Sequence, residues 1–105
     1  MKVNCYGQFY EVEAYKGQYA NNGSLAIELV CCDDGCPFTT LTVNIMDGGA
    51  HDNYAYVDTN NFSSAVEFIK ENKLGVFTGI YGYSGWCKYP LYKFYKTKLK
   101  NMKNL

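Results

Sequence analysis

The chain has no arginine, a single histidine, a single tryptophan and only two prolines. Without arginine it lacks the planar fork that most often reads guanine or clamps phosphate with two parallel hydrogen bonds. No apolar run approaches the ~18 residues that cross a bilayer, so no transmembrane helix is expected. The segment Met1–Gln8, Met-Lys-Val-Asn-Cys-Tyr-Gly-Gln, has no apolar stretch of the secretory kind. An intracellular, cytoplasmic location is therefore expected. There the five cysteines should be reduced, and their odd number argues against a closed disulfide framework.

What is present suffices for one domain of 105 residues and no more. Ile, Leu, Val and Phe make up about a quarter of the chain, above the roughly one-fifth below which chains stay disordered. Eleven tyrosines add apolar area with phenolic tips that need partners when buried. Ten lysines balance ten acids, but unevenly. Residues 1–71 carry all ten acids and three lysines, a net of −7, whereas residues 72–105 carry seven lysines and no acid. Such asymmetry implies either two halves that complement each other or a surface awaiting a partner.

Period-two alternation predicts a strand over Val3–Tyr15, with Gly7 allowing a bend, and strands over Leu25–Cys31 and Phe38–Ile45. Asp34-Gly35 between the last two predicts an antiparallel hairpin. A short strand is expected at Tyr54–Val57. The period then changes: Phe62, Ala65, Val66 and Ile69 mark one helical stripe, with Asn61 or Ser64 at its start and Gly75 at its end. Val76–Tyr83 reads as a strand, Ser84–Lys88 as a loop, and Tyr89–Tyr95 as an extended segment that Pro90 pushes to a sheet edge. The expected fold is a single α+β domain over residues 1–95, mostly antiparallel sheet with one helix packed on a face. Residues 96–105 are expected as a basic C-terminal tail or frayed helix.

Cys31, Cys32 and Cys36 crowd one turn around Asp33 and Asp34. Thiolates suit Zn²⁺, and a hairpin tip can supply two of four ligands. Strand parity turns Cys31 to the core and Cys32 outward, so Cys32 and Cys36 are the expected pair. Cys87 and Cys5 would complete the set, with Cys31 or His51 able to replace one. The Cys-x3-Cys spacing is looser than a zinc knuckle, and the competing reading is buried or free thiols. A zinc ion here would be structural, stapling a small domain.

Catalysis is not expected. Cys87 and His51 sit in no nucleophile motif, Gly79, Gly82 and Gly85 precede no helix that could cradle phosphate, and Asp58-Thr59-Asn60-Asn61 suits a turn leading into a helix. Binding is better supported. Tyr81, Tyr83, Trp86, Tyr89, Tyr92, Phe94 and Tyr95 lie among Lys88, Lys93 and Lys96. They could fill the core, stack on single-stranded bases, or anchor a protein interface. The acids Asp33, Asp34, Asp47, Asp52 and Asp58, together with Trp86, are the candidate partner-binding residues, since carboxylates can occupy a lysine-lined channel on a nucleic-acid enzyme.

Leu25-Ala-Ile-Glu-Leu29, Thr40-Leu-Thr-Val-Asn44, Val57-Asp-Thr-Asn-Asn61, Phe68-Ile-Lys-Glu-Asn72 and Ser84-Gly-Trp-Cys-Lys-Tyr-Pro-Leu-Tyr92 resemble one family. It consists of small, functionally uncharacterised domains carried by phages and conjugative elements of Gram-positive bacteria. The likeness covers residues 3–95 and brings no catalytic residues, and the cysteine cluster departs from its pattern. In size and character the chain is similar to anti-CRISPR proteins. That likeness implies direct binding to a type II RNA-guided DNA nuclease of the bacterial host, preventing target DNA loading, with no direct nucleic-acid contact. The alternative is a small nucleic-acid-binding protein of a mobile element, using Lys73–Lys103 and the aromatics.

Overall fold

In the computed structural model, which describes residues 1–5, 7–20, 23–45, 50 and 52–105 (Cys5 by its backbone alone), the alternating segments form two antiparallel sheets. The first strand prediction divides in two. β1 (Lys2–Cys5) and β2 (Gln8–Gln18) form a hairpin, with Gly7 at φ +80° in the connection, so the glycine reverses the chain instead of bending it. β3 (Leu25–Cys31) pairs with β2, and β4 (Pro37–Thr40) pairs with β3. The Asp34-Gly35 turn joins these last two as expected, with Gly35 at φ +72°.

The predicted strand over Phe38–Ile45 breaks at Leu41. Beyond it, β5 (Thr42–Val43) leaves the first sheet and pairs with β6 (Tyr54–Val57). Leu41 is bonded to both sheets: its N–H donates to the Ile27 carbonyl at 2.8 Å, and its carbonyl accepts from Asp58 N–H at 2.9 Å. A buried strand segment that switches sheets at a bend is one way two sheets close around one core. Thr42 secures the corner, its buried Oγ1 accepting from Ile27 N–H at 3.1 Å and lying 3.0 Å from the Tyr19 hydroxyl.

The second sheet has the order β5-β6-β8-β7, where β7 is Gly75–Ser84 and β8 is Cys87–Phe94. Its two faces are both covered in part. Ala55, Val57, Tyr92 and Phe94 enter the main core with Val12, Ile27 and Leu29 of the first sheet and Leu41 of the corner, while Tyr56, Tyr89 and Leu91 form a second cluster with Val43 and Ile45. Each large apolar side chain so buried contributes about 1.5–3 kcal/mol. Pro90 is not at a sheet edge, because β8 lies between β6 and β7. The β6–β8 ladder stops at Leu91, so the missing proline N–H leaves no ladder bond unmade.

Helix α1 (Ala65–Glu71) closes the main core through Ala65, Phe68 and Ile69. The predicted stripe is thus shifted: Val66 is exposed, Phe68 replaces it, and Phe62 packs from the turn before the helix. Asn72 caps the end, and Lys73 takes the left-handed position at φ +53° that Gly75 was expected to supply; Gly75 instead opens β7.

Residues 96–105, expected as a tail or frayed helix, form α2 (Lys96–Lys100) and β9 (Lys103–Asn104), which lies parallel to β2. Leu105 N–H donates to Lys16 at 2.8 Å, and its side chain fills the space over Gly17. No helix among the described residues is long and apolar enough to cross a membrane.

Candidate functional site

The structure separates the expected site residues. Cys31, Cys32 and Cys36 remain together at the β3–β4 turn, where Cys31 N–H donates to the Cys36 carbonyl at 2.9 Å and Gly35 N–H to the Cys31 carbonyl at 2.9 Å. Cys32 and Cys36 are exposed and Cys31 half-buried, in line with the strand parity. Burial first, then the negative charge of Asp34, Cys36, Asp33 and Cys32, pushes the Cys31 thiol above its ordinary range. That thiol is a poor nucleophile at neutral pH.

Cys87 belongs to the other sheet, at the β7–β8 turn, and packs against Tyr89 and its cluster. The Cys5 side chain and His51 lie outside the described residues. Among those that are described, no three His, Cys, Asp or Glu side chains converge where a metal could be held.

The carboxylates are also divided. Asp33 and Asp34 are exposed at the β3–β4 turn, where Asp34 Oδ1 accepts from Cys36 N–H at 3.0 Å. Asp52 is exposed with φ +53°. Asp47 lies outside the described residues. Asp58 is buried, and its two oxygens accept from the backbone N–H and side-chain amide of Asn61 at 3.1 and 3.0 Å. Its role is thus to shape the turn before α1, which corrects the expectation of a docking carboxylate.

The aromatics of residues 76–95 sort cleanly into buried and exposed. Tyr89, Tyr92 and Phe94 are core; Phe77, Tyr81, Tyr83, Trp86 and Tyr95 are exposed, along with Val76 and Ile80. The expected loop at 84–88 is a two-residue hairpin turn. Gly85 has φ +60° and Trp86 does not share it, the pattern of a type II′ turn, so β8 begins at Cys87. Trp86 stands at the tip, 104% exposed, and Tyr83 behind it is 68% exposed.

Register places Phe77, Tyr81, Tyr83, Lys88, Pro90 and Tyr92 on one face of this hairpin. The ring centroids of Phe77 and Tyr81 are 5.2 Å apart, those of Phe77 and Tyr92 5.7 Å, and Lys88 Nζ lies 4.3 Å from the Tyr81 centroid. The opposite face is fixed by Gly82, where a Cβ would lie 2.5 Å from Tyr56 Cε1. The aromatic face is therefore held on a two-stranded element anchored in the second cluster. The signal for Phe77 and Ile80 was present in the sequence. Gly79 at φ +88° sits within an irregular stretch of the β7–β8 pairing, and such a bulge re-aims the side chains beside it.

One ion pair among the described residues joins the two charge halves. Among the described residues the ion pairs are Lys103 with Glu13 at 3.1 Å, which raises the lysine above its ordinary range, and the N-terminal ammonium with Glu11 at 3.6 Å. Lys88 and Lys93 are exposed on β8, and Lys96, Lys98 and Lys100 on α2.

Fold and surface together define a single α+β domain, mostly antiparallel sheet, that presents an exposed aromatic hairpin. The chain belongs to the family described as "Domain of unknown function (DUF4313)", whose model it matches over residues 15–104. No curated protein and no solved structure matches it.

Proposed function

We propose that the chain is a non-catalytic binding protein that docks on another protein through the β7–β8 hairpin, and that its partner is a type II RNA-guided DNA nuclease whose target loading it blocks. The observation that carries the docking reading is Trp86, wholly in water at the tip of a tight turn, backed by exposed Tyr83, Tyr81, Ile80 and Phe77. Soluble chains seldom leave contiguous apolar surface open without a use, and Trp and Tyr dominate the energetic centres of protein interfaces. Exposed Val76 and Ile80 favour a protein over a nucleic acid, because aliphatic side chains offer no stacking face for a base.

Support for the nuclease as partner comes from the phage and conjugative-element resemblance and from the chain's size. The exposed Asp33 and Asp34 at the β3–β4 turn suit the positively charged channel of such an enzyme. The test is inhibition of guide-directed cleavage in vitro, with wild-type chain, Trp86→Ala and Asp33→Lys/Asp34→Lys. Wild type should inhibit when added before target DNA and lose potency when added after it. Trp86→Ala should weaken inhibition by about tenfold or more, the loss typical of a hot spot, without a change in thermal stability. Full inhibition by Trp86→Ala would remove the hairpin from the interface, and no inhibition by wild type would remove the nuclease.

A further inference from the structure

We infer that the hairpin takes its partner by strand addition: an extended, acidic segment of the partner protein pairs with the free edge of β7. This rests on the hairpin being the docking element. β7 is the last strand of its sheet, and beyond its irregular stretch at 78–80 the regular run Tyr81–Ser84 leads into the exposed tip at Trp86. The longest strand, β2, is flanked by β1, β3 and β9, and β5 has only two residues. An uncovered edge is a template for another strand.

The free edge has defined bonding groups. The two-residue turn makes Ser84 and Cys87 the closing hydrogen-bonded pair, and the alternation of an antiparallel ladder then turns the N–H and C=O of Tyr83 and Tyr81 away from β8. Pro90, opposite Tyr81, has no N–H to give, as suits a pair that exchanges no bonds. On this edge an incoming strand gains main-chain bonds from Tyr81 and Tyr83, and its alternate side chains meet the aromatic face.

Charge selects the occupant. Residues 72–105 hold seven lysines and no acid, and Lys88, on β8 one strand in from this edge, places its Nζ 4.3 Å from the ring centroid of the edge residue Tyr81. An acidic strand is attracted, whereas a second copy would bring the same positive charge to the seam.

The single tryptophan reports on the site directly. The probes are a blocked peptide of about eight residues alternating valine and glutamate, its valine–lysine counterpart, and a single-stranded oligothymidylate. The glutamate peptide should shift Trp86 emission to the blue and slow amide exchange at Tyr81 and Tyr83. Lys88→Glu should weaken it about tenfold, and Tyr83→Pro, which removes one outward N–H, should abolish it. Should Tyr83→Pro fail to fold, exchange protection on the wild-type chain decides the matter. Equal binding of both peptides, or binding without amide protection, overturns strand addition. Binding of oligothymidylate alone, or a dimer of the free chain that Tyr83→Pro dissolves, overturns the acidic strand as occupant. Strand addition failing while nuclease inhibition still depends on Trp86 would sink this inference and leave the proposed function standing. The glutamate peptide pairing with β7 while no nuclease is inhibited would do the reverse.

Discussion

Gly82 is the residue on which the hairpin's rigidity turns. A methyl group there would lie 2.5 Å from Tyr56 Cε1, 2.8 Å from Cζ and 3.0 Å from Ile45 Cδ1. Carbon atoms rest at about 3.5–4.0 Å, so the Tyr56 ring or the β7 backbone must move by about 1 Å. The ring has little room, because Tyr56 is buried with Tyr89 and Leu91. Forcing one methylene into such packing costs about 1–3 kcal/mol. For a domain of this size that is a drop in Tm of about 5–15 °C, or roughly 1 M in the urea midpoint. Gly23→Ala is the control: its φ is +71° with no atom within 4 Å of the added methyl, so only backbone strain of about 1 kcal/mol is expected. The decisive assay is a urea double-mutant cycle with Tyr56→Leu, which makes room for the methyl. Gly82→Ala should cost at least ~0.5 kcal/mol less in that background. Strict additivity would refute the claim that β7 is held against Tyr56.

Other perturbations probe other parts of the account. Thr42→Val should destabilise by about 1–3 kcal/mol in the same urea assay, since it leaves the Ile27 N–H without its partner at the corner between the sheets. Alkali should weaken the fold. The Tyr89 phenol is raised by its hydrogen bond to Cys87 and then by burial, and the Tyr92 phenol by burial and then by Tyr81, both from an ordinary value of 10.0. A raised phenol favours the folded state fully below that value, and the contribution is lost as pH climbs through the folded pKa. Tyr92→Phe should therefore flatten the fall of Tm above about pH 10; an unchanged profile would locate the alkaline transition elsewhere. If Cys32 and Cys36 hold zinc with Cys5 or His51, the purified chain carries about one zinc, and Cys36→Ser releases it and lowers Tm. A metal-free chain whose Tm ignores a chelator would make these cysteines plain thiols.

Local signals were read well from the residues, and long-range ones were not. The β3–β4 hairpin follows from alternation on both sides of Asp34-Gly35, which is chemistry contained within the turn. The bend at Leu41 left no trace, because Leu41, Val43 and Ile45 go on alternating across the corner; what breaks the strand is a bond to Ile27 on one side and to Asp58 on the other. The helix was visible in its period, but Val66 and Phe68 exchanged roles because α1 begins later than Phe62 suggests. Pro90 misled, since an edge preference holds only where a ladder bond is at stake. At the site, Trp86, a candidate partner-binding residue by sequence, stands exposed at the hairpin tip. Cys87 and Asp58 were grouped with residues that the topology sets elsewhere, and spacing along the chain carries no information on that.

The most direct test of the account is acrylamide quenching of Trp86 fluorescence, first in the free chain and then with a guide-loaded type II nuclease in excess. In the free chain the indole should quench as fully as free tryptophan, as befits a side chain 104% exposed. In the complex the quenching should fall several-fold as the hairpin is covered. A complex that forms and leaves Trp86 equally open to acrylamide would contradict the claim that this hairpin is where the protein binds.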